Sequence, residues 1–149
     1  MDRRKIFYFK KNFLWGASIS SHQTEGENFN DWSVWEKKNA KRLAVEAKQK
    51  FGHLPSWPKI KKCASSPQNY ISGAACDFWH KYQGDFNLAG SLGLNALRFS
   101  IEWSRIEPQK GKFDQKAIKH YLKIIRALKK RGIEPFVALW HFTLPLWIA

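Results

Sequence analysis

Phe13–Gly26 reads FLWGASISSHQTEG. The stretch opens as an apolar run and turns polar at Ser18, with Ser20, Ser21, His22, Gln23, Thr24 and Glu25 following. A buried strand that ends in hydrogen-bonding side chains has the pattern of a binding site at a strand's carboxyl end. We read Phe13–Ser20 as the first strand, with Gly16 permitting close backbone approach. A basic leader, residues 1–12, precedes it and contains a short candidate strand at Ile6–Phe9.

Two later runs end in the same way. Ala96–Trp103, ALRFSIEW, reads as a strand with Arg98 and Glu102 inside it. Phe136–Trp140, FVALW, is continuously apolar, as in a fully buried parallel strand, and ends at His141. A helix is predicted from Ala74 to Leu92, stopped by Gly93. Asp114 is placed to cap a second helix, in which Ile118, Tyr121, Leu122, Ile125 and Leu128 share a face. Gly132 is its stop. Strands alternating with helices predict a parallel sheet, either doubly wound or in a (β/α) barrel. Residues 27–73 read as an irregular, Lys-rich insertion. Within it Asp31–Lys38 resembles an aromatic-anchored turn, Lys37–Phe51 has helical spacing, and Leu54–Gln68, with three prolines, reads as a surface loop.

The chain has 149 residues, enough for a core, and its 44% hydrophobic content excludes compositional disorder. No G-x-G-x-x-G or P-loop follows any strand, which argues against a nucleotide-binding fold. Neither a signal-peptide core nor a membrane-length apolar run is present, so a soluble cytoplasmic protein is expected. Cys63 and Cys76 lack metal-knuckle spacing, no second pair exists, and two thiols in a chain of this size are more often reduced than bridged. The formal charge of +14 and pI near 10.0 raise the alternative of a basic nucleic-acid-binding module. Against it, no nucleic-acid motif occurs, and the Trp residues lie in strand and helix motifs, away from the Lys runs.

The three strand-end motifs carry a family resemblance. FLWGASISSHQTEG, RFSIEWSRIEP (Arg98–Pro108) and LWHFTLPLW (Leu139–Trp147) resemble the first three strand motifs of glycoside hydrolase family 1, the β-glucosidase family. NYISGAACDFWHKYQGDF stands where that family has its first barrel helix. The resemblance implies the N-terminal part, about three βα units, of a (β/α)8 TIM barrel, with residues 1–149 as one partial domain. It implies a retaining β-glycosidase acting on β-glucosides or related oligosaccharides in carbohydrate metabolism, with two carboxyl groups about 5–5.5 Å apart.

By the same resemblance Gln23 and His141 are substrate-binding residues of the −1 subsite, and Arg98 supports the nucleophile. Phe142 occupies a substrate-binding position where many members have Trp, so an indole N–H donor is replaced by a plain ring. The family's N-E-P acid/base motif and its nucleophile motif are both absent. Glu25 and Glu102 fall inside family motifs at positions other than the catalytic ones. The isolated chain is therefore expected to be inactive, with a C-terminal barrel portion as its partner. The alternative is a non-catalytic remnant that binds sugar weakly or not at all.

Overall fold

The computed structural model describes residues 8–149. Three short strands form one parallel sheet in the order β1 (Gly16–Ser18), β2 (Ala96–Ser100), β3 (Glu134–Ala138). Gly16 pairs with Ala96, and Ala96 in turn with Glu134. A Cβ at Gly16 would sit 2.9 Å from the Ala96 carbonyl oxygen, so this close pairing needs glycine.

The first strand is shorter than predicted. Before Gly16 the ladder gives way to the Asn95 side chain, which accepts from Trp15 N–H and donates to the Phe13 carbonyl. Ala96–Trp103 is also shorter, because Trp103–Ile106 turns into the one-turn helix α5. (We number the helices in chain order: α1 is Ser21–Thr24, α2 Asp31–Phe51, α3 Trp57–Ala64, α4 Phe78–Ser91, α6 Gln115–Lys130.) Half of the candidate strand at Ile6–Phe9 lies outside the described residues, and Tyr8 and Phe9 are in no strand.

The insertion is regular, contrary to the sequence reading. Asn30 and Ser33 form a reciprocal capping box, which starts the 21-residue helix α2. It buries only small residues, Ser33, Ala40, Ala44 and Ala47. The predicted loop at Leu54–Gln68 instead contains α3, where Pro58 sits in the first turn and needs no N–H partner. A 3₁₀ turn at Pro67–Tyr70 follows.

Helix α4 starts four residues later than predicted. Ala75 and Asp77 have φ of 47° and 55°, left-handed values that a helix cannot include. It ends as expected. Leu94 N–H bonds to the Ala89 carbonyl and Gly93 N–H to that of Gly90, with Gly93 at φ 75°. The same arrangement closes α6: Ile133 N–H to Leu128, Gly132 N–H to Lys129. At the other end of α6 the Asp114 carboxylate accepts from Lys116 and Ala117 N–H.

The core lies between α4, α6 and the sheet, around Phe78, Phe86, Leu97, Phe99, Ile124 and Leu128. The buried face of α6 is centred on Ala117, Tyr121, Ile124 and Leu128, one position round from the predicted stripe. Ile118, Leu122 and Ile125 instead line an apolar cavity of about 270 Å³ with Leu139. β3 is half-exposed where full burial was predicted, with Phe136 exposed, and its outer edge is unpaired among the described residues.

Candidate active site at the strand ends

All three strands run parallel, so their carboxyl ends open on one side of the sheet. Arg98 projects from β2 and is exposed. It donates to Ser18 Oγ of β1 (3.1 Å) and lies 3.3 Å from Nδ1 of His141, beyond β3. One guanidinium thus joins side chains from all three strand ends. Glu102, the charged residue of the same predicted strand, bonds to Ser21, Ser104 and Thr143 and not to Arg98.

Gln23 is exposed on α1, and its Oε1 accepts from Ser20 Oγ at 2.8 Å. That bond orients the amide and leaves its NH2 face open to solvent. Phe142 is exposed with φ 70°, a left-handed conformation that is costly for an aromatic residue. Its ring meets His141 edge-on at 5.0 Å. Sequence reading placed Gln23, His141 and Phe142 after strands and Arg98 within one; the Ser18, Ser20 and Arg98–His141 contacts it did not specify.

Below this surface lie two buried carboxylates. Glu102 is 0% exposed and accepts from Ser21 Oγ (3.0 Å), Ser104 Oγ (2.9 Å) and Thr143 Oγ1 (3.1 Å). Glu25 is 1% exposed and accepts from the Tyr121 hydroxyl (2.7 Å) and Arg105 Nε (3.0 Å). Burial raises the Glu25 pKa to about 7, against the lowering effect of the Tyr121 hydroxyl and the Arg105 charge; Glu102 adds to the rise. Arg105 also donates to Asn28 Oδ1 and the Gly26 carbonyl, and its guanidinium lies 4.2 Å over the Trp79 ring.

A third carboxylate ties the insertion to the site. Glu36 of α2 accepts from Ser72 N–H (2.9 Å), Ser72 Oγ (2.8 Å) and the His22 ring (2.9 Å). Partial burial pushes its pKa up, but these donors outweigh that and hold it below the usual range. The start of α2 is pinned to the β3 end as well: Asp31 N–H donates to the Leu144 carbonyl and Asp31 Oδ1 accepts from Leu144 N–H. Among the described residues no group of three His, Cys, Asp or Glu could hold a metal ion. No helix there is long and apolar enough to cross a membrane. Cys63 and Cys76 are free and exposed.

A parallel sheet with helices between its strands, and Arg98 and His141 meeting at one side of it, defines an α/β protein with a candidate polar site; among the described residues the Gln23 side chain bonds only to Ser20 and not to that pair. The chain belongs to glycosyl hydrolase family 1, which it matches over residues 6–149. It is 34% identical over 139 residues to beta-glucosidase 8 of Arabidopsis thaliana, covering 92% of this chain and 23% of that protein. It is 36% identical over 141 residues to the coniferin beta-glucosidase of Pinus contorta, again covering 92% and 23%. Among solved structures, a beta-glycosidase from Pyrococcus horikoshii superimposes with a TM-score of 0.68 at 42% identity, over 94% of this chain and 27% of that one. The Thermotoga maritima beta-glucosidase, solved in complex with methoxycarbonyl-substituted glucoimidazole, gives 0.67 at 28% identity, over 94% and 28%. The chain therefore spans about a quarter of the length of these relatives.

Proposed function

We propose that this chain forms the first three βα units of the (β/α)8 barrel of a retaining β-glycosidase, working in the cytoplasm on β-glucosides or related oligosaccharides. The observation that carries this reading is the Arg98–His141 contact with Ser18, which converges at the strand ends of a family 1 chain. In this reading Gln23 and His141 hydrogen-bond sugar hydroxyls, and Phe142 packs against the ring's C–H face. Arg98 offers an exposed guanidinium to the nucleophile carboxylate and lowers its pKa. Its present partners are a hydroxyl and an imidazole, with no carboxylate paired to it among the described residues, so it is available for that role.

Glu25 and Glu102 are unsuited to the two catalytic posts. Both are sealed from solvent and their oxygens are taken by internal donors. Retaining hydrolysis needs two accessible carboxyl groups about 5–5.5 Å apart, and these come from sequence outside the 149 residues. No cofactor is required by that chemistry.

The test is a graft. The chain by itself should release no nitrophenol from a nitrophenyl β-glucoside. Joined in place of the corresponding segment of the Thermotoga maritima beta-glucosidase, it should support hydrolysis, and Arg98→Ala or Gln23→Ala in the graft should lower kcat/KM by about 100-fold or more. A folded graft whose activity ignores both substitutions would sink the reading. So would genuine turnover by the chain alone.

A further inference from the structure

Away from the strand ends, the cationic residues of α6 are not scattered. Lys116, Lys119, Lys123, Arg126 and Lys130 recur at steps of three and four residues, which puts them on one face. At about 1.5 Å per residue, successive charges are spaced roughly 5 Å along the helix axis. The lower part of this stripe opens into a cavity of about 590 Å³ between α4 and α6, where Lys123, Arg126, Lys130 and Arg131 face Tyr82 and Gln83.

Three features favour an anion in this groove. No carboxylate lines it; Asp85 of α4 instead lines a cavity shared with Ala17 and Leu97. Among the described residues Lys123, Arg126 and Lys130 form no ion pair within 4.0 Å. Arg131 is fixed in advance, donating to Asn87 Oδ1 (2.9 Å), Gln83 Oε1 (2.9 Å) and the Ala127 carbonyl (3.0 Å). A concave wall of one sign, with one member already positioned, concentrates potential and favours a multiply charged anion.

We propose that the α4–α6 groove binds a linear phosphate polyanion of the inorganic polyphosphate type. The regular charge spacing suits a chain of closely repeated anions. Single-stranded nucleic acid suits it less, because its binding draws on stacking platforms for bases. The one aromatic residue on the wall, Tyr82, is half-buried and packed edge-on against Phe78, Phe86 and His120.

Fluorescence anisotropy with labelled polyphosphate tests this on the full chain. Lys123→Glu/Arg126→Glu/Lys130→Glu should weaken binding about 10-fold or more and reduce the slope of log K against log salt by about two to three. Lys37→Glu/Lys38→Glu/Lys41→Glu on α2 changes net charge equally and should leave affinity within about two-fold. Glutamine at 123, 126 and 130 repeats the test without introducing new repulsion, and circular dichroism checks the fold of each variant. Equal losses from the α2 and α6 variants would assign binding to overall charge and overturn the proposal. A single-stranded oligonucleotide of equal charge that binds more tightly, and is lost with the α6 triple variant, would overturn the choice of polyphosphate.

Discussion

The Tyr121 hydroxyl donates to Glu25 Oε1 at 2.7 Å, joining residues 96 positions apart in sequence. The same oxygen accepts from Glu102 N–H at 2.9 Å. One phenol therefore satisfies a buried carboxylate from the β1 end and a buried amide from the β2 end. Tyr121→Phe keeps the ring and orphans both partners. We expect a loss of about 2–4 kcal/mol, from two unsatisfied buried groups at about 1–3 kcal/mol each with partial relaxation. Urea denaturation of the two proteins measures it, and a change below 0.5 kcal/mol, roughly that of a surface substitution, would refute the linkage.

Glu25 makes stability fall as pH rises. Its folded pKa is near 7 against an ordinary 4.5, so between those values the folded chain holds a proton that the unfolded chain has released. The contribution is fully present below about pH 4.5 and gone above about pH 7. At about 1.4 kcal/mol per pKa unit the total is on the order of 3 kcal/mol. Glu36 acts in the opposite sense and in a lower window: its depressed pKa contributes stability above the ordinary carboxylate value, lost on acidification. Unfolding free energies of wild type and Glu25→Gln from pH 4.5 to 7.5 should differ in slope, with the variant flatter. Parallel curves would rule out Glu25 as the titrating group.

Arg98 and Arg105 stand seven residues apart and should behave in opposite ways. Arg105 is mostly buried, pairs with Glu25 and covers Trp79. Above about pH 7, where Glu25 is ionised, Arg105→Ala strands a buried carboxylate and should cost about 3–5 kcal/mol. Arg105→Lys should recover little, since a lysine cannot reproduce the fork or the stacking. Arg98 is exposed and bonded only to a hydroxyl and an imidazole. Arg98→Ala should therefore shift stability by no more than about 0.5 kcal/mol. Thermal melts of the three variants make the comparison, and a large loss from Arg98→Ala would assign it a structural role.

Gly26 has φ 84°, and a Cβ there would run into the carbonyl of Ala74. Gly26→Ala faces both a left-handed backbone and a collision with main chain that cannot swing aside. Gly132 also has positive φ, at 68°, but has nothing within 4 Å of an added Cβ. Gly132→Ala should cost about 1–2 kcal/mol from conformation alone, and Gly26→Ala distinctly more. Equal losses in chemical denaturation would show that the Ala74 contact yields.

What could be read from sequence was local or periodic. The stops at Gly93 and Gly132 and the Asp114 cap depend on a few neighbouring residues, so their signals are complete within a short window. That strand ends would carry the polar residues was legible; that Arg98 would meet His141 was not. Helix α2 was partly hidden because its buried stripe is alanine and its remainder is largely lysine, which together resemble a solvated segment. Arg98's companions and the Glu25–Tyr121–Arg105 cluster depend on pairings 43 to 96 residues apart. Nothing in a local window specifies which hydroxyl meets which carboxylate.

Glu102 draws hydroxyls from Ser21, Ser104 and Thr143, each within two positions of a site residue or of Glu102 itself. Gln23 lies two residues from Ser21, His141 two from Thr143, and Arg98 shares its segment with Glu102. The three loops are thus knotted to a single carboxylate and move as one mechanical piece. An attempt to reshape this candidate site by sliding one loop would drag the other two with it. Altered specificity is more readily obtained by exchanging side chains on the piece than by redrawing its backbone.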